Sequence, residues 1–250
     1  MNLSGNTILV TGGGSGIGRG LAEAFHARGN QVIIAGRRQQ QLEDTAAANP
    51  GMKTLVLNVE DAAGVTEAAA KLKQEFPRLN VVVNNAGIMR PEDVTKGEVA
   101  DAEAIVTTNL LGPIRLTAAL MPHLLAQPSA TIVNVTSGLA FIPLAMTPTY
   151  CATKAALHSY SLSLRYQLKD TGVRVVELAP PWVATELMGA IPEDPRAMPL
   201  SDFIAETMQL LAGTSDEVLV ERVKPLRNAP AEGREYAFFN QFNDMMSQVH

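Results

Sequence analysis

The chain has 250 residues, a formal net charge of −5, and 46% hydrophobic and 18% charged residues. This is the balance of a globular protein large enough to bury a core without staples. No basic run points to nucleic acid or an anionic membrane, the one cysteine (Cys151) excludes an internal disulfide, and His26, His123, His158 and His250 lack metal-ligand spacing.

No N-terminal export signal and no apolar run long enough to span a bilayer can be read, so a cytoplasmic protein without metal, nucleic-acid or membrane partners is expected. Residues 6–11 read as a buried strand. A glycine-rich turn follows, Thr11-Gly12-Gly13-Gly14-Ser15-Gly16-Ile17-Gly18, and then an amphipathic helix over 21–28 ending at Gly29. Strand, glycine turn and helix are the context in which backbone N–H groups can approach a pyrophosphate. Gly12, Gly16 and Gly18 give that approach, Ile17 follows within the helix opening, and Ser15 adds a hydroxyl donor.

Residues 31–35 read as a second strand, ending at Gly36-Arg37-Arg38. A carboxylate at that place suits a ribose 2′-OH, whereas an arginine suits a 2′-phosphate. With Arg37 and Arg38 there and no acid, NADP is expected ahead of NAD. A third strand (53–58) ends at Asn58-Val59, which reads equally as an adenine-docking edge or as a turn; a helix over 61–76 follows. A fourth strand (81–84) ends in Asn84-Asn85-Ala86-Gly87, small and amide residues suited to a ligand crevice or a tight turn.

Residues 97–126 read as one long helix interrupted near Asn109-Leu110-Leu111-Gly112-Pro113, where the proline removes a backbone bond and bends the helix. A fifth strand (130–136) ends at Ser137-Gly138. A helix then runs from 149 to about 170 and places Tyr150 and Lys154 on one face. A nearby ammonium and a position in the first helical turn both favour a phenolate, so this pair is a candidate proton donor and acceptor.

A sixth strand (173–179) leads into Pro180-Pro181-Trp182-Val183-Ala184-Thr185. Residues 186–216 then read as a lid, with a helix over 201–211 and apolar residues Ile191, Met198, Leu200, Phe203, Ile204 and Met208. These suit either a hydrophobic substrate or plain packing. A strand over 217–220 follows, and the apolar end (Phe238, Phe239, Phe242, Met245 and Met246) must pack on its own domain or on a partner. The alternation predicts an α/β fold: a doubly wound, Rossmann-like parallel sheet in a single domain over 1–250.

Taken together, the segments 11–18 and 84–87 with Asn109, Ser137, Tyr150 and Lys154 resemble the short-chain dehydrogenase/reductase family over about residues 5–185. The stretches Asn-Asn-Ala-Gly-Ile-Met-Arg-Pro-Glu-Asp and Pro-Pro-Trp-Val-Ala-Thr-Glu-Leu resemble a branch whose genes lie beside those for D-alanyl-lipoteichoic acid.

The resemblance implies an NAD(P)-dependent oxidoreductase acting on a small carbonyl or alcohol substrate. Tyr150 would be general acid/base, Ser137 would hold the substrate oxygen, and Lys154 would bond the ribose and lower the Tyr150 pKa. Asn109 would hold a relay water. Asn85, Ala86, Gly87, Pro180, Val183 and Thr185 would meet the cofactor. The family forms dimers or tetramers through its fourth and fifth helices, so a homo-oligomer is expected. Asn58 replaces the usual Asp, Pro181 the usual Gly, and the closing Asp-Gly-Gly is missing. A catalytically weak NADP-binding regulatory protein of the same fold is the alternative.

Overall fold

The computed structural model describes residues 1–189 and 194–247. Ile191 and His250 lie outside the described residues. Seven parallel strands form one sheet in the order β3-β2-β1-β4-β5-β6-β7. They are β1 (Thr7–Thr11), β2 (Gln31–Gly36), β3 (Lys53–Val56), β4 (Leu79–Asn84), β5 (Ala130–Val135), β6 (Val173–Ala179) and β7 (Glu217–Leu219). Every residue of β1 and β5 is buried, as a parallel sheet covered on both faces requires.

Alternate side chains of β1 feed two cores. Ile8 and Val10 pack with Phe25 of α1 (Gly16–His26), Leu42 of α2 (Gln39–Ala48) and Phe203 of α7 (Leu200–Leu211). Leu9 packs on the other face with Leu72 of α3 (Ala62–Glu75), Leu116 and Leu120 of α5 (Gly112–Leu125) and Leu164 of α6 (Pro148–Gln167). The chain leaves β1 in one direction and returns to β4 on its other side, so a crevice opens where β1 and β4 diverge at their carboxyl ends.

Several boundaries differ from the sequence expectation. Helix α1 begins at Gly16, because the glycines that mask helical propensity themselves form its first turn. Strand β3 ends at Val56, where Leu57 N–H still bonds Gly36 O at 2.9 Å before the chain turns. The interrupted helix is α4 (Ala100–Val106), a π turn over Thr107–Leu111, and α5. The π turn precedes Gly112-Pro113 and carries the chain into α5 at the residue that lacks an N–H.

Within the continuous helix Ala100–Leu125 an 18-residue window has a mean hydropathy of 1.3, long and apolar enough to cross a bilayer by length and composition alone. Its Ile105, Leu116, Leu120 and Leu124 are fully buried within the fold. Of the expected lid, α7 is a core element: Phe203 and Met208 are buried, and Ile204 lies against Gly20 of α1. The segment before it is fastened rather than loose, with Met198 N–H bonding Trp182 O at 2.8 Å and Ala184 N–H bonding Met198 O at 2.9 Å.

A polar cluster lies between α6 and β6. Glu177 is completely buried and accepts hydrogen bonds from Thr136 Oγ1 at 2.7 Å and, through its other oxygen, pairs with His158 Nδ1 at 2.7 Å. Glu217 beside it is bound by Arg227 Nε at 2.7 Å. The ligand atoms of His158, Glu177 and Glu217 lie within 4.8 Å of one another, a proximity hidden by their separation in sequence. Arg227 supplies a cation to that cluster. Glu177→Ala strips the acceptor from Thr136 and His158, and is expected to destabilise the fold by roughly 1–3 kcal/mol in a urea melt. Glu177→Gln, which keeps an acceptor oxygen, is expected to cost less, and equal losses would contradict this account.

Candidate active site

The crevice opens into a cavity of about 1130 Å³. At its inner end the chain crosses from β1 into α1 through the glycine turn. Gly12 (φ 66°) and Gly16 (φ 51°) take left-handed conformations that other residues rarely adopt. Gly12, Ser15, Gly16 and Ile17 line the cavity, with no acidic residue in the first turn of α1 to offset its N-terminal positive field.

Gly18 serves a different purpose from the one expected of it, since it does not line the cavity. A Cβ there would fall 2.3 Å from both Gly12 O and Asn85 Nδ2. It is small so that α1 can close against the turn and against β4. Asn85 fastens that junction by donating from Nδ2 to Thr11 O at 2.9 Å, while the N–H groups of Asn85 and Ala86 bond Thr11 Oγ1 at 3.0 and 3.1 Å. Asn85, Ala86 and Gly87 all reach the cavity wall.

Arg37, Arg38, Asn58 and Val59 line one end of the cavity. Arg38 Nη2 donates to Ser15 Oγ at 2.9 Å, bringing a guanidinium to the opening of the helix. Arg37 Nη1 pairs with Glu60 Oε1 at 3.0 Å, and Thr108 Oγ1 donates to the same oxygen at 2.8 Å. Sequence reading missed Glu60, because an acid four residues beyond the end of β3 carries no motif. Asn58 Oδ1 accepts from Glu60 N–H at 3.2 Å, so Asn58 holds a turn while facing the cavity.

At the other end three side chains converge from two elements. Ser137 follows β5; Tyr150 and Lys154 stand one turn apart on α6. Ser137 Oγ accepts from Leu139 N–H at 3.1 Å, which fixes the oxygen and leaves its proton for another acceptor. Lys154 is only 4% exposed and donates from Nζ to Val135 O at 2.8 Å, with its ammonium 5.5 Å from the Tyr150 ring centre. Burial pushes the Lys154 pKa down to about 8.

The expected lowering of the Tyr150 pKa is not what these surroundings produce. Burial drives the phenol above its ordinary range, and the Ser137 hydroxyl beside it offsets this only in part. Both groups have been stripped of water, and desolvation outweighs their mutual influence.

Asn109 sits in the π turn, is 1% exposed and does not line the cavity. Its side-chain amide is occupied in bracing the loop after β4, accepting from Ile88 N–H at 2.8 Å and donating to Ile88 O at 2.9 Å. The residue four places on is Pro113, so no ordinary α-helical bond can close on the Asn109 carbonyl.

Pro180, Val183 and Thr185 line the cavity beside the glycine turn, and Pro180 O accepts from Gly138 N–H at 2.8 Å, tying this loop to the segment that carries Ser137. Beyond Tyr150 the wall is largely apolar, with the Asp194–Arg196 ion pair beside Trp182 also lining the cavity. It includes Leu144, Trp182 and Leu187, and, from the C-terminal helix α9 (Glu235–Ser247), Phe238 and Phe242. A short helix, α8 (Lys224–Asn228), precedes α9. The sequence signalled this wall only as an apolar tail in need of a partner.

The match to known proteins follows the geometry. Residues 6–196 match the model of the short chain dehydrogenase family. The oxidoreductase DltE of Bacillus subtilis (strain 168) is 42% identical over 236 residues, covering 92% of this chain and 93% of that protein. Among solved structures, a short chain dehydrogenase from Burkholderia cenocepacia J2315 in complex with NADP is 26% identical with a TM-score of 0.84, covering 95% of this chain and 98% of that one. The 3-ketoacyl-(acyl-carrier-protein) reductase from Brucella melitensis, complexed with NADH, is also 26% identical, with a TM-score of 0.80 and coverage of 87% and 97%. The crevice at the β1/β4 divergence, the glycine turn beneath it and the serine, tyrosine and lysine at its far end are thus features of a chain that belongs to the short-chain dehydrogenase family and is an oxidoreductase.

Proposed function

We propose that the protein interconverts a carbonyl and a secondary alcohol with a nicotinamide cofactor, and that the cofactor is NADPH in preference to NADH. The observation that carries the reading is the convergence of Ser137, Tyr150 and Lys154 at one end of a cavity whose other end holds Arg37 and Arg38. The residues present fit a dinucleotide. Gly12 leaves no room for a side chain between the turn and Asn85, and the opening of α1 is free of acids.

When bound, the cofactor supplies or accepts the hydride. Ser137 Oγ donates its uncommitted proton to the substrate oxygen and holds it beside the Tyr150 phenol. Tyr150 delivers a proton to that oxygen as the carbon is reduced, and takes it back in the reverse direction. Lys154 holds the ribose. Its positive charge, together with that of an oxidised nicotinamide ring, works against the burial that keeps the phenol protonated. Asn109 positions the loop at Ile88 and, through its carbonyl, supports a water that passes protons toward Lys154. The expected homo-oligomer would cover the exposed Leu125, Leu162 and Tyr166 on α5 and α6.

The Arg37–Glu60 pair sets the strength of the cofactor preference. A 2′-phosphate competes with Glu60 for one guanidinium, and exposed ion pairs are weak enough to be exchanged.

Tyr150→Phe is expected to lower kcat by roughly a hundredfold or more in NADPH-linked carbonyl reduction while nucleotide binding persists. A variant as fast as the parent would end the acid/base assignment and favour a binding protein. Arg37→Ala is expected to weaken NADPH binding roughly ten- to a hundredfold in fluorescence titrations and to leave NADH almost unaffected. Glu60→Gln is expected to tighten NADPH binding; an unchanged ratio of the two cofactors in both variants would count against the phosphate role.

For Lys154 the sign follows from its direction of shift. Its folded pKa of about 8 lies below its unfolded value of 10.5, so the unfolded chain holds more protons between those limits and stability rises with pH across them. Tyr150, shifted upward, opposes this above its ordinary value of 10. Nucleotide-free protein is therefore expected to gain stability between about pH 8 and 10 in chemical denaturation, and Lys154→Met to lose that gain.

A further inference from the structure

The part of the cavity beyond Tyr150 has a composition unlike the rest. Met89, Met146, Met188, Met245 and Met246 all face it, five of the ten methionines in the chain. Unbranched thioether side chains fill irregular space and re-pack around ligands of different shape. Phe242 and Met246 of α9 pack against the cluster formed by Ile105, Leu144, Tyr150 and Cys151, so the C-terminal helix reaches the immediate surroundings of the candidate proton donor.

The way α9 is attached is also unusual. None of its residues is fully buried. It is held by polar fastenings at the rim. Asn243 Oδ1 accepts from Ala145 N–H at 2.6 Å, and Asn243 Nδ2 donates to Pro143 O at 3.1 Å, so one amide grips both backbone polarities of the loop that precedes α6. Farther along, Arg196 Nη1 donates to Met245 O at 3.4 Å, while the rest of its guanidinium is bound by Asp194 and lies 5.8 Å from the Trp182 ring centre. A helix joined through a few hydrogen bonds and a shallow apolar face costs little to displace, whereas a core helix such as α7 does not come away.

We propose that α9 is the specificity wall of the substrate chamber, and that the chamber takes bulky, flexible apolar ketones or the matching secondary alcohols. Asn243 is the positioning residue that seats this wall. The inference rests on the carbonyl–alcohol reading and narrows its substrate class. The apolar body of the substrate lies among the five methionines and Phe242, and its carbonyl oxygen lies at Ser137 and Tyr150. Small ketones reach the same oxygen site but leave the wall untouched, so they gain nothing from it.

Two full-length variants test this, Phe242→Asp and Asn243→Ala. Turnover of 2-decanone and of 2-butanone is compared, and binding of 1-anilinonaphthalene-8-sulfonate is measured with NADP⁺ saturating, so that the dye reports the substrate chamber alone. In the parent the kcat/KM ratio favours 2-decanone. It is expected to fall roughly tenfold or more in Phe242→Asp, with loss of dye binding, and to fall in Asn243→Ala mainly through KM. NADPH binding measured on the same samples reports whether each variant is folded. An unchanged ratio and unchanged dye binding in folded variants would overturn the assignment of α9. A parent that binds the dye at Phe242 but turns over neither ketone would support the apolar chamber and instead refute the carbonyl–alcohol reading.

Discussion

The candidate catalytic end of this molecule depends on holding an amine where water is scarce. Lys154 is almost wholly buried, and its Nζ meets one described acceptor, the carbonyl of Val135 at the last residue of β5. That bond joins α6 to the sheet at the place where β5 gives way to Ser137, and the bonds of Ser161 to Asn134 and of His158 to Glu177 join them farther along. Together they fix the relative position of the two elements that supply Ser137, Tyr150 and Lys154. A buried ammonium with one hydrogen bond is poorly solvated, and the protein accommodates it by pushing its pKa down to about 8.

The same scarcity of water acts on Tyr150 in the opposite sense, raising the phenol where it depresses the amine. Both shifts disfavour the charged form, but with a pKa of about 8 the amine still holds its proton near neutral pH, beside a phenol that is also protonated. A bound ligand that brings hydroxyls to Lys154 and positive charge near Tyr150 changes both balances together. Under the proposed chemistry, proton transfer would be tied to occupancy of the site, because the phenol would become a competent base only when its surroundings are completed. The buried Glu177, on the face of the sheet that α6 covers, braces this region: it holds Thr136, the neighbour of Ser137, and His158, one turn beyond Lys154 on α6.

The parts legible in the sequence were those in which local pattern and final position coincide. The buried runs of β1, β4, β5 and β6, the glycine turn and the four-residue step from Tyr150 to Lys154 announce themselves because each is a short-range feature with one physical meaning. Helix α2 was expected only as the next helix after Arg38, without bounds, since Gln39–Ala48 has few apolar residues and buries only Leu42 and Thr45. Helix α7 was read as part of a lid because the prolines before it and its insertion-like position resemble one, while Phe203 and Met208 fill the core under the sheet. Glu60, the Glu177 cluster and the role of α9 were invisible for a common reason. Each arises from residues distant in sequence that the topology brings together, and no local spacing encodes them. Gly18 shows the converse: its place in the motif was evident, but its reason, contact with Asn85 and Gly12, belongs to tertiary packing.

The two halves of the cavity are built from different materials, and this bears on how such a protein acquires its substrate. The half at the glycine turn consists of backbone, glycines and polar side chains held at the carboxyl ends of the central strands, where a change of one atom is felt by several hydrogen bonds at once. The half at α9 consists largely of methionines, a phenylalanine and a helix fastened mainly at its rim. α9 contributes no fully buried residue to either sheet core, and it meets α6 only where Phe242 and Met246 pack on the cluster that holds Tyr150 and Cys151. In the proposed reading, chemistry and specificity are separable except at that contact. Where one depends on sub-ångström placement and the other on a compliant apolar surface, the second can vary while the first is kept.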